Sequence, residues 1–173
     1  MTIAIRMLDA QAATDALPGL AALLADAVDD GASLGFWAPL RPSRALAYWH
    51  DVRAQVEGGD VLLLVAEDGE GVAGSVQLEL CGKDNGAHRV EVRKLMVLSA
   101  RRRTGVGRAL MRAAEAEAEA RGRTLLVLDT RSGDDSESFY RALGYAPAGS
   151  IPGFVREADG TSSATTYYYR HLA

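Results

Sequence analysis

The stretch Val90-Glu91-Val92-Arg93-Lys94-Leu95-Met96-Val97-Leu98-Ser99-Ala100-Arg101-Arg102-Arg103-Thr104-Gly105-Val106-Gly107-Arg108-Ala109-Leu110 decides how the rest of the chain is arranged. It reads as a β-branched and aliphatic strand, a short basic loop carrying Gly-Val-Gly, and then a helix. That order sets unpaired helix N-terminal amides where an anion can sit. Glycines at 105 and 107 leave no Cβ to block the main chain, and Arg102, Arg103 and Arg108 add charge-assisted donors. Two other readings of the same stretch stay open. One is a solvated arginine-rich turn with glycines for tightness. The other is a dinucleotide-binding unit with Asp129 as its ribose acid. Against the second stand Leu110 at the third glycine position and an over-long connecting loop.

The flanking segments narrow the choice. Upstream, Val61 to Ala66 is a continuous apolar run, Glu67 to Gly71 a turn, and Val72 to Leu80 alternates. With Arg89 to Leu98 these form three antiparallel strands in a meander, not alternating strand-helix units. Before them come an opening strand at Ile3 to Met7, a helix starting at Thr14-Asp15 and running to Val28, a glycine-spaced aromatic loop from Gly31 to Trp37, and a helix from Pro42-Ser43 to Gly58-Gly59. After them come a helix from Val106, capped at Gly122, and a buried strand at Leu125 to Leu128. A helix at Ser132 to Leu143 and closing strands at Tyr145 to Phe154 and Thr165 to Tyr169 complete the chain.

Bulk properties set the frame. The 173 residues, 48% hydrophobic and 24% charged, suit a single globular domain over 1–173. The net charge of -4 argues against nucleic-acid binding by a basic surface. The single Cys81 excludes an internal disulfide framework and favours a reducing compartment. It reads as a buried structural cysteine. Neither a signal-peptide layout nor a bilayer-length apolar run is present, so a cytoplasmic protein without membrane attachment is expected. His50, His88 and His171 lack ligand spacing, and no metal is assigned. Glu115, Glu117 and Glu119 read as the solvated edge of the helix from Val106.

Leu95-x-Val97 before Arg102-x-x-Gly105-x-Gly107 resembles the acetyl-coenzyme A signature of the GNAT superfamily of N-acetyltransferases. Ser138-Phe139-Tyr140-Arg141-Ala142-Leu143-Gly144-Tyr145 is similar to that family's Phe-Tyr element. Within the superfamily, Gly31 to Phe36, Glu91 to Val97, Leu128-Asp129-Thr130 and Ser138-Phe139-Tyr140 look most like the tabtoxin-resistance acetyltransferases. The chain departs from the common pattern at Gly133, where many members have Asn, and at Ser99, where proline is frequent. The resemblance implies a mixed α/β, α+β-type fold with a mostly antiparallel central sheet, a splayed parallel pair and helices on both faces.

It also implies acetyl-coenzyme A as co-substrate, held by main-chain groups of Leu95, Met96 and Val97 and by the loop residues Arg102, Arg103, Thr104, Gly105, Val106, Gly107 and Arg108. Acetyl transfer to an amine needs a proton acceptor, an oxyanion site and a proton for the departing thiolate. Glu91 and Asp129 are the candidate acid/base pair if their strands are neighbours; the plainer alternative is an ion pair for Glu91 and a turn cap for Asp129. Tyr140 is implied as proton donor to the sulfur, with simple core packing as the alternative. Ser33, Phe36 and Trp37, with Glu91 and Asp129, are the expected acceptor contacts. The expected acceptor is a small-molecule amine, down to an amino-acid-like β-lactam toxin; homodimerisation stays open. Two other functions stay open: acetylation of a protein N-terminus or lysine, and a non-catalytic coenzyme A binding or sensing module.

Overall fold

The computed structural model describes residues 3–173; Met1 and Thr2, at the start of the expected domain, lie outside the described residues. A seven-stranded sheet runs through it in the order β1-β2-β3-β4-β5-β7-β6. The strands are β1 (Ala4–Leu8), β2 (Val61–Asp68), β3 (Gly71–Leu80), β4 (Arg89–Val97), β5 (Leu125–Arg131), β6 (Ala146–Arg156) and β7 (Ser162–His171). Every neighbouring pair is antiparallel except β4 with β5. That parallel pair is registered only over Arg89–Glu91 against Leu125–Val127, after which the two strands separate. The mixed sheet with its splayed pair is the architecture expected from the sequence.

Helices cover both faces. On one, α1 (Ala10–Asp15), α2 (Leu17–Asp29) and α3 (Pro42–Gly58) enclose Leu20, Leu23, Trp49, Leu63, Val65 and Met96. On the other, α4 (Val106–Ala120) and α5 (Asp135–Ala142) enclose Leu64, Val76, Leu78, Leu110, Met111 and Tyr140. This explains why Val61 to Ala66 shows no apolar-polar alternation: successive side chains point to opposite faces, and each face has a core to fill.

Several boundaries differ from the sequence reading. The first helical region is two helices, starting at Ala10. Asp9 caps it by accepting the Ala12 amide at 2.8 Å, and Pro18, which has no N–H to donate, sits in the first turn of α2. The α5 helix starts at Asp135, not Ser132, because Ser132 and Gly133 form a turn after β5 in which Gly133 adopts φ +88°. The closing hairpin is longer than expected at both strands. Glu115 is not solvated: its carboxylate accepts from Tyr145 Oη at 3.1 Å and Arg170 Nη1 at 2.8 Å, tying α4 to the sheet. Cys81 is partly exposed, not buried, with Arg89 Nη2 3.5 Å from its sulfur; the Lys83 amide and this guanidinium hold the thiol below its ordinary pKa.

Candidate active site

The β4–β5 separation opens a cleft of about 1700 Å³ bounded by α2, the loop from Gly31 to Ala38, the β4 strand, the loop before α4, the turn before α5 and the end of the β6–β7 hairpin. Its central wall is β4 beyond Glu91. That strand has no neighbour on its second side, so its outward main-chain groups face the cleft. Leu98 donates its amide to Ala73 of β3 at 2.9 Å. Successive amides of a strand alternate in direction, so the Val97 amide points the other way, into the opening.

The strand is also bulged. Ser75 pairs with Met96 and Gln77 with Arg93, so Lys94 and Leu95 together oppose Val76 alone. Lys94 takes φ +51°, a left-handed conformation rare for a side chain of this kind. Bulges of this type bend a strand and re-aim its side chains. Gly74 allows it: a Cβ there would lie 2.7 Å from the Met96 carbonyl oxygen.

At the far end of β4 the chain makes a short 3-10 turn and enters α4 through Gly105, which sits at φ +92° with nothing within 4 Å of the position a Cβ would take. Among the described residues, none of the amides from Arg103 to Arg108 is taken by a carbonyl or a side chain. Six partnerless amides at a helix N-terminus, with Gly105 and Gly107 bare, make a cradle suited to pyrophosphate oxygens. The residues present therefore fit the diphosphate end of coenzyme A.

The structure brings most of the expected cofactor residues to this cleft: Leu95, Met96, Val97, Arg102, Arg103, Gly105, Gly107 and Arg108 line it. Two do not present side chains to it. Val106 is buried under the sheet, and Thr104 turns its hydroxyl onto the Arg101 carbonyl at 2.6 Å, so these can contribute main chain alone. Arg102 is ion-paired with Asp30, whereas Arg103 and Arg108 have no carboxylate partner among the described residues.

Near the point where β4 and β5 part, Glu91 and Asp129 both line the cleft. The Glu91 side chain is 48% exposed, and Arg93 Nε stands 4.0 Å from its carboxylate. Partial burial, then the neighbouring Asp129 charge, push the Glu91 carboxyl above its ordinary pKa. Asp129 is fixed by Thr165 Oγ1, which donates to it at 2.6 Å from the adjacent β7. Tyr140 is almost wholly buried on α5 yet lines the cleft, in edge-on contact with Phe139 and Tyr145. Its hydroxyl has no hydrogen-bond partner among the described residues. Burial and the Asp129 charge push the phenol well above its usual range, so it keeps its proton at neutral pH.

Ser33, Phe36 and Trp37 line the opposite wall. Trp37 Nε1 donates to the Arg156 carbonyl at 3.0 Å, joining this loop to the β6–β7 hairpin. The sequence reading missed Lys94, Arg44, Arg131, Phe154 and Arg156, all of which also line the cleft. Lys94 Nζ donates to the Leu34 carbonyl at 2.8 Å. Burial and Arg93 push its ammonium down, while Asp129 and Glu91 oppose that shift. A lysine between a strand carboxylate and the Leu95-x-Val97 signature was the available signal.

An anion cradle at a helix entrance, beside a strand pair opened next to two carboxylates, suits a phosphate-bearing ligand held beside acid/base groups. Comparison with known proteins agrees. The family model described as "Acetyltransferase (GNAT) domain" matches residues 59–147. Among solved structures, the ribosomal-protein-alanine N-acetyltransferase of Brucella melitensis superposes with a TM-score of 0.80 at 22% identity, covering 98% of this chain and 99% of that one. A provisionally assigned phosphinothricin N-acetyltransferase gives 0.80 at 22%, covering 99% of each. A provisionally assigned acetyltransferase of Salmonella typhimurium, solved with its cofactor acetyl-CoA, gives 0.78 at 20%, covering 100% of this chain and 95% of that one. At such identity these likenesses are of fold. The chain belongs to the GNAT acetyltransferase family, and it is an acyltransferase whose co-substrate is acetyl-coenzyme A.

Proposed function

We propose that the protein transfers the acetyl group of acetyl-coenzyme A to the primary amine of a small molecule, by direct attack with donor and acceptor bound together. The observation that carries this is the meeting of Glu91 and Asp129 at the mouth of the β4–β5 splay, between the amide cradle and the aromatic loop. The thioester supplies an activated acyl carbon; the rest of the chemistry falls to the chain. Glu91 accepts the ammonium proton, directly or through water, and its raised pKa brings it closer to the pH at which it works. Asp129, oriented by Thr165, holds the amine against it. The Val97 amide meets the developing oxyanion. Tyr140, still protonated, delivers a proton to the departing sulfur.

The Gly31 to Ala38 loop is joined to the β6–β7 hairpin by Trp37 and Arg156, a tie across the acceptor side that supports a small acceptor over a protein segment. The likeness to the Brucella melitensis enzyme keeps acetylation of a protein N-terminus as the second reading. The narrowest form of the first, an amino-acid-like β-lactam toxin such as tabtoxinine-β-lactam, rests on sequence resemblance alone. A cytoplasmic location rests on the cysteine content; no helix among the described residues is long and apolar enough to cross a membrane. The deciding experiment replaces Glu91 and Asp129 by their amides and follows free thiol release with an amine panel. Turnover falls by about 10²- to 10⁴-fold if Glu91 takes the proton and Asp129 holds the amine. Unchanged turnover in the double variant removes them.

A further inference from the structure

Lys94 and Arg44, on the acceptor side of the cleft, are in no ion pair among the described residues, and neither is Arg156 on the β6–β7 hairpin. Lys94 Nζ has one hydrogen-bond partner among the described residues, the Leu34 carbonyl at 2.8 Å, and no carboxylate in ion-pair reach. An ammonium has three donors, so two have no protein partner among the described residues. The Arg44 guanidinium has no hydrogen-bond or ion-pair partner among the described residues and lies 5.3 Å from the Phe36 ring centroid. The two are linked by packing: Lys94 Nζ lies 6.0 Å from the Tyr48 ring, and Tyr48 meets Phe36 edge-on at 5.5 Å. By contrast Arg93, Arg101, Arg102 and Arg131 are each matched by an acid. Arg103 and Arg108 stand by the amide cradle, where a pyrophosphate would use them.

Lys94 is largely buried in a left-handed backbone position, and the carboxylates whose charge favours its ammonium, Asp129 and Glu91, stand beyond ion-pair reach, which leaves its hydrogen-bonding shell open. A ligand anion would complete it. We infer that Lys94 and Arg44 form an anion subsite beside the carboxylate pair, so that the acceptor is a small zwitterion. Its amine lies at Glu91 and Asp129, its carboxylate or comparable anionic group between Lys94 and Arg44, and its hydrocarbon part against Phe36 and Tyr48. This rests on the reading of the cleft as an acetyltransferase acceptor site.

The test measures thiol release with three matched sets of acceptors: free amino acids, their carboxamides, which keep size but lose the anion, and simple alkylamines. Native protein is compared with Lys94→Met, Lys94→Arg and Arg44→Met, each first checked by melting temperature and by calorimetric titration with acetyl-coenzyme A. The native protein prefers acid over carboxamide by at least about tenfold in kcat/KM, the equivalent of about 1.4 kcal/mol. Lys94→Met and Arg44→Met each cut that ratio about tenfold or more, Lys94→Arg restores part of it, and the affinity for acetyl-coenzyme A stays the same. Equal use of acids and carboxamides by the native protein overturns the subsite, as does a parallel fall of both in the variants, which marks a merely structural role. A loss confined to acetyl-coenzyme A binding overturns it too, by assigning the cations to the donor. Should Lys94→Met fail to fold, the exposed Arg44→Met decides by the same ratio. If no amine of any set is acetylated, the acceptor-site reading itself falls; if alkylamines and carboxamides react and acids do not, only the subsite falls.

Discussion

Replacing Gly107 by Ala separates stability from cofactor binding, because the structure assigns the two effects opposite signs. Gly107 is the second residue of α4 and lies outside the left-handed region. A Cβ there would sit 3.5 Å from Phe139 Cζ and 3.6 Å from Val97 Cγ2, ordinary contacts with nothing to displace. Exchanging glycine for alanine within a helix gains up to about 1 kcal/mol. In a chain of this size that raises the melting temperature by about 2–4 °C. The same methyl stands on the cleft wall where a phosphate must approach the main chain, and overfilling a fitted contact costs about 1–3 kcal/mol. The dissociation constant for acetyl-coenzyme A therefore rises about 5- to 150-fold. Thermal melts and calorimetric titration on one preparation give both numbers. A more stable protein that binds acetyl-coenzyme A as well as the native chain would refute the assignment of the cradle.

Gly105→Ala is expected to act the other way on stability: its φ of +92° costs a side chain roughly 1–2 kcal/mol, and melting falls by about 2–8 °C. In Asp129→Asn the residual activity shifts its acidic limb to lower pH. Glu91 must be deprotonated to act, and the amide removes one of the charges that raise its pKa; a pH profile of kcat/KM that moves upward contradicts this. Tyr140→Phe keeps the ring contacts and the melting temperature but lowers kcat by about 10²-fold or more, a loss read from steady-state rates; an unchanged kcat returns Tyr140 to a packing role. Leu110→Ala, fully buried between α4 and the sheet, costs about 2–5 kcal/mol in denaturant unfolding.

What the chain discloses before folding follows from how local the cause is. Gly105 and Gly107, the helix from Val106 and the meander are written in adjacent residues, so the cradle and the strand order were legible. Glu91 and Asp129 were paired only on the condition that their strands be neighbours; β4 and β5 are, although the two residues stand 38 apart in number. The place of Lys94 was not legible, because its bulge arises from the register of β3 on β4, where Ser75 and Gln77 choose their partners. Phe154 and Arg156 reach the cleft because β7 inserts between β5 and β6, a reordering that no window of sequence contains. Cys81 misled for a similar reason: it looks apolar at the end of a strand, but Arg89 is brought beside it by pairing.

The separation of β4 from β5 after three residue pairs gives this protein two open strand edges in the middle of its own sheet. Sheet edges recruit other strands, and natural proteins usually place them at the margin and blunt them. Here the pantetheine arm, with its own amides, would serve as a substitute strand that closes the gap. Bound in that way, acetyl-coenzyme A would act as part of the sheet, and ligand at a hundred times its dissociation constant would stabilise the fold by about 2.7 kcal/mol. On that reading the protein without donor carries the exposed edges, and added coenzyme A should slow its aggregation in light-scattering measurements.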